Sequence, residues 1–137
     1  MGRFSVEVEL ANHEDVVRAK DGTIHAKDVR RIRVQGLVDT GASYLVLPKQ
    51  VAEELGVPVV GKARVRYADR RKEVRTLVGD VEVSLLGRQD TFRAIIEPKR
   101  DDALIGVIVL EALDLLVDPG EERLLPRDPS GIIAELE

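Results

Sequence analysis

The tetrapeptide Asp39-Thr40-Gly41-Ala42 constrains this chain more than any other feature, because two strand-like apolar runs converge on it. Ile32-Arg33-Val34-Gln35-Gly36-Leu37-Val38 leads in, and Tyr44-Leu45-Val46-Leu47 leads out. An acid between two such runs belongs in a tight loop between strands rather than on a helix. Gly41 can take positive φ and admit a second backbone nearby, while Thr40 and Ala42 bring a hydroxyl and an N–H beside the carboxylate. These are the groups that hold a buried Asp. A solvated turn has no need of hydrophobic residues on both sides.

The rest of the chain alternates in the same way. Phe4, Val6, Val8 and Leu10 alternate with polar residues, the period of a half-buried strand. Asn12 to Arg31 is polar and carries Asp21-Gly22, which predicts a hairpin or long loop. Pro48 to Leu55 reads as a short helix stopped by Gly56. A hairpin is expected from Lys62, with Asp69-Arg70-Arg71-Lys72 at its tip and Val74 to Val78 returning. Val81 to Leu86 and Thr91 to Ile96 form a further pair around Gly87-Arg88. Val107 to Leu113 predicts a second helix. Leu115 to Val117 and Arg123 to Leu125 pair across a turn at Asp118-Pro119-Gly120, and 126–137 is a loose tail or edge element.

With 137 residues the chain has room for one domain spanning 1–137, and its 44% hydrophobic content with 34% charged residues suits a folded protein. Two Phe, two Tyr and no Trp leave the core to Val, Leu, Ile and Ala, which favours β-structure. The absence of Cys removes disulfides, thiolate nucleophiles and cysteine-based metal sites. Met1 to Val8 lacks the apolar core of a signal peptide and no stretch is long enough to span a membrane, so a cytoplasmic protein without membrane association is expected. The net charge of −4 gives no general reason to bind nucleic acid.

Taken in order, Asp39-Thr40-Gly41-Ala42, the charged hairpin near Asp69-Arg70, and Leu104-Ile105-Gly106 ahead of a short helix resemble one lobe of an aspartic protease. More narrowly, the chain resembles the retropepsin-like, single-lobe branch found in retroviruses and their bacterial and archaeal relatives. The resemblance runs over about 34–125. It implies a mostly β, closed barrel with one or two short helices, working as a homodimer on peptide or protein substrates without cofactor or metal. It implies Asp39 as the catalytic acid, Thr40 bracing the loops of two subunits, and Gly41 and Ala42 completing the carboxylate's hydrogen-bond shell. Tyr67, Ala68, Asp69, Arg70 and Arg71 would form a flap over substrate. Leu104, Ile105 and Gly106 would lie beneath the loop, with glycine allowing close backbone packing.

Two departures stand out from the family pattern. The hairpin tip has no glycine, leaving Asp69 as the residue that tolerates left-handed backbone, and Val107 and Ile108 follow Gly106 where retroviral members carry an Arg and a polar partner. These features motivate an alternative, a catalytically silent dimerisation or peptide-binding module. Competing sites are weaker. Asp118-Pro119-Gly120 reads as a hairpin turn. Ser43 lacks the glycine of a nucleophile elbow, and His13 and His25 lack zinc-site spacing.

Overall fold

The computed structural model describes residues 3–137. Nine strands and three α-helices follow one another: β1 (Phe4–Asn12), α1 (His13–Lys20), a 3-10 turn (Ala26–Asp28), β2 (Arg31–Val38), β3 (Leu45–Pro48), α2 (Lys49–Leu55), β4 (Val59–Arg66), β5 (Lys72–Leu85), β6 (Arg88–Glu97), β7 (Ala103–Ile105), α3 (Val107–Ala112), β8 (Leu115–Asp118) and β9 (Arg123–Pro126). The main sheet has seven strands in the order β1-β2-β7-β3-β6-β5-β4, and β1 also pairs with β5. That last pairing closes β1, β2, β7, β3, β6 and β5 into a six-stranded barrel and leaves β4 outside as an edge. The expectation of a mostly β closed barrel is borne out. β8 and β9 form a separate ribbon that caps the core with Leu115 and Leu124.

The barrel interior is aliphatic. Val8, Leu10, Val38, Leu47, Val81, Val83, Ala94 and Ile105 are fully buried in one cluster with Phe4 and Phe92 at its margins. Burial of a side chain of this size contributes about 1.5–3 kcal/mol, so the interior is the main source of stability. β1 supplies part of this core, so the barrel begins well before residue 34.

The segment expected as a hairpin or loop over Asn12 to Arg31 instead contains α1 and the 3-10 turn, giving three α-helices rather than one or two. The reason is a buried cap. The Asn12 side chain accepts from the Asp15 N–H at 3.0 Å and donates to the Leu55 carbonyl at 2.8 Å, joining α1 to the end of α2. Glu14 and Asp15 in the first turn and Arg18 and Lys20 in the last suit the helix dipole. Asp15 also takes the Arg30 guanidinium at 2.7 and 2.9 Å and the Arg30 N–H at 3.0 Å.

Val74–Val78 and Val81–Leu86, expected as separate strands, instead belong to one continuous strand, β5, which ends at Leu85. Its register shifts between Val78 and Val81, with Asp80 at φ 55°. This bulge turns the strand from the β4–β5 hairpin into the barrel without ending it. α2 matches expectation, ending on Gly56 at φ 66°. No helix among the described residues is long and apolar enough to cross a membrane.

Candidate active site

The loop from Asp39 to Tyr44 leaves β2 and returns into β3, and its shape is set from below by β7 and α3. β2 and β7 pair in parallel, with Leu37 opposite Leu104 and Val38 opposite Ile105. The Asp39 N–H then donates to the Ile105 carbonyl at 3.1 Å. Further along, the Val107 N–H donates to the Ala42 carbonyl and the Ile108 N–H to the Ser43 carbonyl, both at 2.9 Å. The orphan N–H groups at the start of α3 are thus satisfied by the loop itself. Gly106 lies between these bonds. A β-carbon there would fall 2.5 Å from the Tyr44 carbonyl oxygen and 2.8 Å from that of Ala42, distances no side chain tolerates.

The carboxylate of Asp39 is held at short range. Its Oδ1 accepts the Gly41 N–H at 2.9 Å, and its Oδ2 lies 3.4 Å from the Arg3 guanidinium. The Asp39 side chain is 17% exposed, so it is shielded from water but reachable. Gly41 does not use its freedom to take positive φ. A β-carbon on it would sit 3.2 Å from Asp39 Oδ1, a tight contact that would push on the carboxylate. The Ala42 N–H donates to the Asp39 main-chain carbonyl at 3.1 Å rather than to its carboxylate, and Thr40 is exposed.

The hairpin lies on the same side of the barrel as the loop. Tyr44 and Leu104 pack in one apolar cluster with Val46, Leu77 and Ile95, and Ala63 and Val65 of β4 join it. Tyr67 follows in the same alternation, and Ala68, Asp69, Arg70 and Arg71 form the exposed tip. The turn is closed by the Arg70 N–H to the Tyr67 carbonyl at 2.9 Å and the Tyr67 N–H to the Arg71 carbonyl at 2.9 Å. Arg70, at φ 69°, takes the left-handed position expected for Asp69, while the Asp69 carboxylate accepts the Arg71 N–H at 3.0 Å. This is the three-residue hairpin in which the left-handed residue is usually glycine.

Tyr67 ties the hairpin down. Its hydroxyl donates to Glu97 at the end of β6 and accepts from Arg75 at 3.1 Å, and Arg75 also reaches Glu97 at 3.0 Å. Burial, reinforced by the adjacent Glu97 carboxylate, pushes the Tyr67 hydroxyl above its ordinary pKa, with Arg75 opposing. The Arg71 guanidinium stacks on the ring at 4.3 Å. Among the described residues, no hydrogen bond or ion pair joins Tyr67–Arg71 to Asp39. Asp118, the competing acid, sits in the β8–β9 turn, accepting the Glu121 N–H at 3.2 Å and facing Arg123. No group of three His, Asp or Glu among the described residues is placed to hold a metal ion.

Residues 21–109 match the family model described as aspartyl protease. The chain belongs to the aspartyl protease family. The membership expected from Asp39-Thr40-Gly41-Ala42 and Leu104-Ile105-Gly106 is borne out.

Solved structures similar to this aspartyl protease family member include a simian foamy virus (mac) protease, 13% identical, TM-score 0.49, covering 78% of this chain and 91% of that one. The retroviral protease-like domain of Ddi1 from Leishmania major is 22% identical, TM-score 0.47, with coverages of 71% and 81%. A retropepsin-like aspartic protease from Rickettsia conorii is 20% identical, TM-score 0.49, with coverages of 86% and 89%. The search against curated proteins found no match.

Sequence reasoning missed Arg3, Tyr44, Arg75 and Glu97 at this site. Tyr44 carries a sequence signal, as one of only two tyrosines and the last residue of the loop. Arg75 lies eight residues from Tyr67 on the return strand of the same hairpin, whereas Arg3 and Glu97 carry no local signal because they meet their partners from segments distant in sequence.

Proposed function

We propose that this chain is a cytoplasmic, homodimeric aspartic endopeptidase of the retropepsin-like type, whose dyad combines Asp39 of two copies. The observation that carries the reading is the Asp39 carboxylate, held by the Gly41 N–H on a loop locked by Ile105, Val107 and Ile108, in a member of the aspartyl protease family. The chain contains one such loop, so a pair of acids requires a second copy about a two-fold axis.

In such a dyad two carboxylates about 3 Å apart share one proton, because like charges that close do not both ionise. The charged member takes a proton from water as it attacks the peptide carbonyl. The neutral member donates to the carbonyl oxygen and later protonates the leaving nitrogen. Thr40 braces the two loops across the axis, and Leu104, Ile105 and Gly106 hold each from beneath. Tyr67 to Arg71 close over an extended peptide, excluding water and bonding its backbone. With Arg75 and Glu97 gripping Tyr67, closure involves hinging at the hairpin base rather than a pliant tip.

The deciding experiment compares purified Asp39→Asn with the parent on an unstructured protein substrate. The amide keeps the shape and removes the acid/base couple, so hydrolysis is abolished while folding and dimerisation persist. Undiminished turnover would end the protease reading. The second reading, a catalytically silent peptide-binding module, is favoured by Arg3 lying against Asp39 Oδ2. It expects peptide binding without cleavage in the parent.

A further inference from the structure

The outer face of the β4–β5 hairpin carries a concentration of unpartnered charge. Lys62, Arg64, Arg66, Arg70 and Lys72 are exposed and make no ion pair among the described residues. The neighbouring Arg71 and Arg75 are engaged with Asp69, Glu73 and Glu97. Arg66 stands directly opposite Lys72 in the antiparallel ladder, a like-charge pair that destabilises a sheet unless an anion lies between. Arg64 stands opposite Val74 and Lys62 opposite Thr76, so these six side chains share one face, away from the cluster beside the Asp39 loop.

Two further features adjoin the cations. A groove of about 510 Å³ has an aliphatic floor of Val57, Val59, Val74, Val78 and Ile96, flanked by Arg75 and by α2 from Lys49 past Glu53, and it includes no residue of the Asp39 loop. Val59 and Val74 on its rim are 68% and 58% exposed. β4 is also the open edge of the sheet, paired among the described residues with β5 alone. Cations alone would guard an edge against stray pairing, but a guard has no use for an apolar groove beside it.

From these juxtaposed features we propose that the outer face of the β4–β5 hairpin is a docking site for an extended, acidic polypeptide segment with aliphatic residues, distinct from the Asp39 cleft. The segment adds to the β4 edge through its backbone. Its carboxylates lie between Arg64, Arg66 and Lys72, and its aliphatic side chains enter the groove beside Val59 and Val74. Nucleic acid fits less well, since the one aromatic ring on the hairpin, Tyr67, is on the opposite face and covered by Arg71. Binding here needs no hydrolysis. Where the proposed activity holds, the surface recruits substrates with acidic stretches outside the scissile region.

The test measures fluorescence anisotropy of a labelled peptide of alternating Glu and Val on the Asp39→Asn protein, against the same peptide with Gln for Glu. Three exposed charge pairs give an expected preference of about tenfold for the Glu peptide at low salt. That preference shrinks as salt rises. It is lost in Arg64→Gln/Arg66→Gln/Lys72→Gln with the unfolding midpoint kept, while Val74→Ser weakens both peptides. Equal binding of the two peptides, salt-independent preference, or its persistence in the triple variant would overturn the proposal. So would tighter binding of a single-stranded oligonucleotide of equal charge. Concentration-dependent self-association lost only in the triple variant would also overturn it, assigning the face to a second copy. Because Asp39→Asn is the binding protein, failure here is separable from failure of the protease reading.

Discussion

Gly106 and Tyr44 approach so closely that a β-carbon on the glycine would stand 2.5 Å from the tyrosine carbonyl oxygen. The obstructing atoms are backbone, so no rotamer change relieves the contact. The position therefore couples the level of β7 directly to the height of the Asp39 loop, with bonds from Asp39, Val107 and Ile108 on either side.

Gly106→Ala should accordingly destabilise the fold by about 3 kcal/mol, the upper part of the range for overpacking a tight site. Urea unfolding measures this directly. A change below 1 kcal/mol would show that the loop lifts freely. Peptide hydrolysis, if present in the parent, should fall by more than the loss of folded protein explains.

A dyad shared by two copies makes activity depend on concentration. Specific activity should decline on dilution in step with the dimer fraction seen by sedimentation, since dissociation removes one carboxylate of each pair. Constant specific activity in a preparation shown to be monomeric would refute the model of one Asp39 per subunit and bring Asp118 back into consideration.

Asp15 makes the α1 anchor sensitive to acid. Its hydrogen bond to Arg30 holds the carboxyl below its ordinary pKa, with burial opposing. A lowered folded value means the stabilisation is complete above the ordinary carboxylate range and is lost as pH falls through the lowered value, so the window lies below about pH 4. Asp15→Asn should cost about 2 kcal/mol at neutral pH through the lost charge-assisted bonds. The difference between variant and parent should narrow in acid. A variant whose deficit is the same at pH 7 and pH 3 would show that shape, not charge, matters at this position.

Tyr67→Phe removes the hydroxyl between Glu97 and Arg75 while leaving their mutual bond and the ring under Arg71. The expected cost is about 1 kcal/mol. Amide exchange over 64–75 should quicken while β1 and β2 keep their protection. Uniform acceleration across the barrel would instead assign Tyr67 to the global core. In the parent, the raised Tyr67 pKa means its contribution is complete below its ordinary value and fades as pH climbs through the raised one.

The hairpin and the 12–31 segment show where local signals end. The positions of β4 and β5 follow from alternation alone, yet Arg70 rather than Asp69 occupies the left-handed position. The choice follows from where the ladder closes: the Tyr67–Arg71 pair leaves a three-residue loop whose last residue, Arg70, takes that position. The helix α1 had its signals in place, with Asn12 as cap, acids first and bases last. Asp21-Gly22 reads as a competing turn, and the deciding contact, Asn12 to Leu55, is 43 residues away.

By itself, the sequence determined what short-range physics can encode. Periodic aliphatic residues set most strands, Gly56 stopped a helix, and Asp39-Thr40-Gly41-Ala42 and Leu104-Ile105-Gly106 identified the family. Only the tertiary structure decided that β5 pairs with both β4 and β1, that Arg3 faces Asp39, that Ala42 supplies its carbonyl to Val107, and that Arg64, Arg66 and Lys72 share a face without ion-pair partners among the described residues. Side-chain alternation and turn chemistry act over a few residues and repeat along the chain. Barrel closure and charge pairing depend on which distant segments meet, and that is selected by burying the whole core at once.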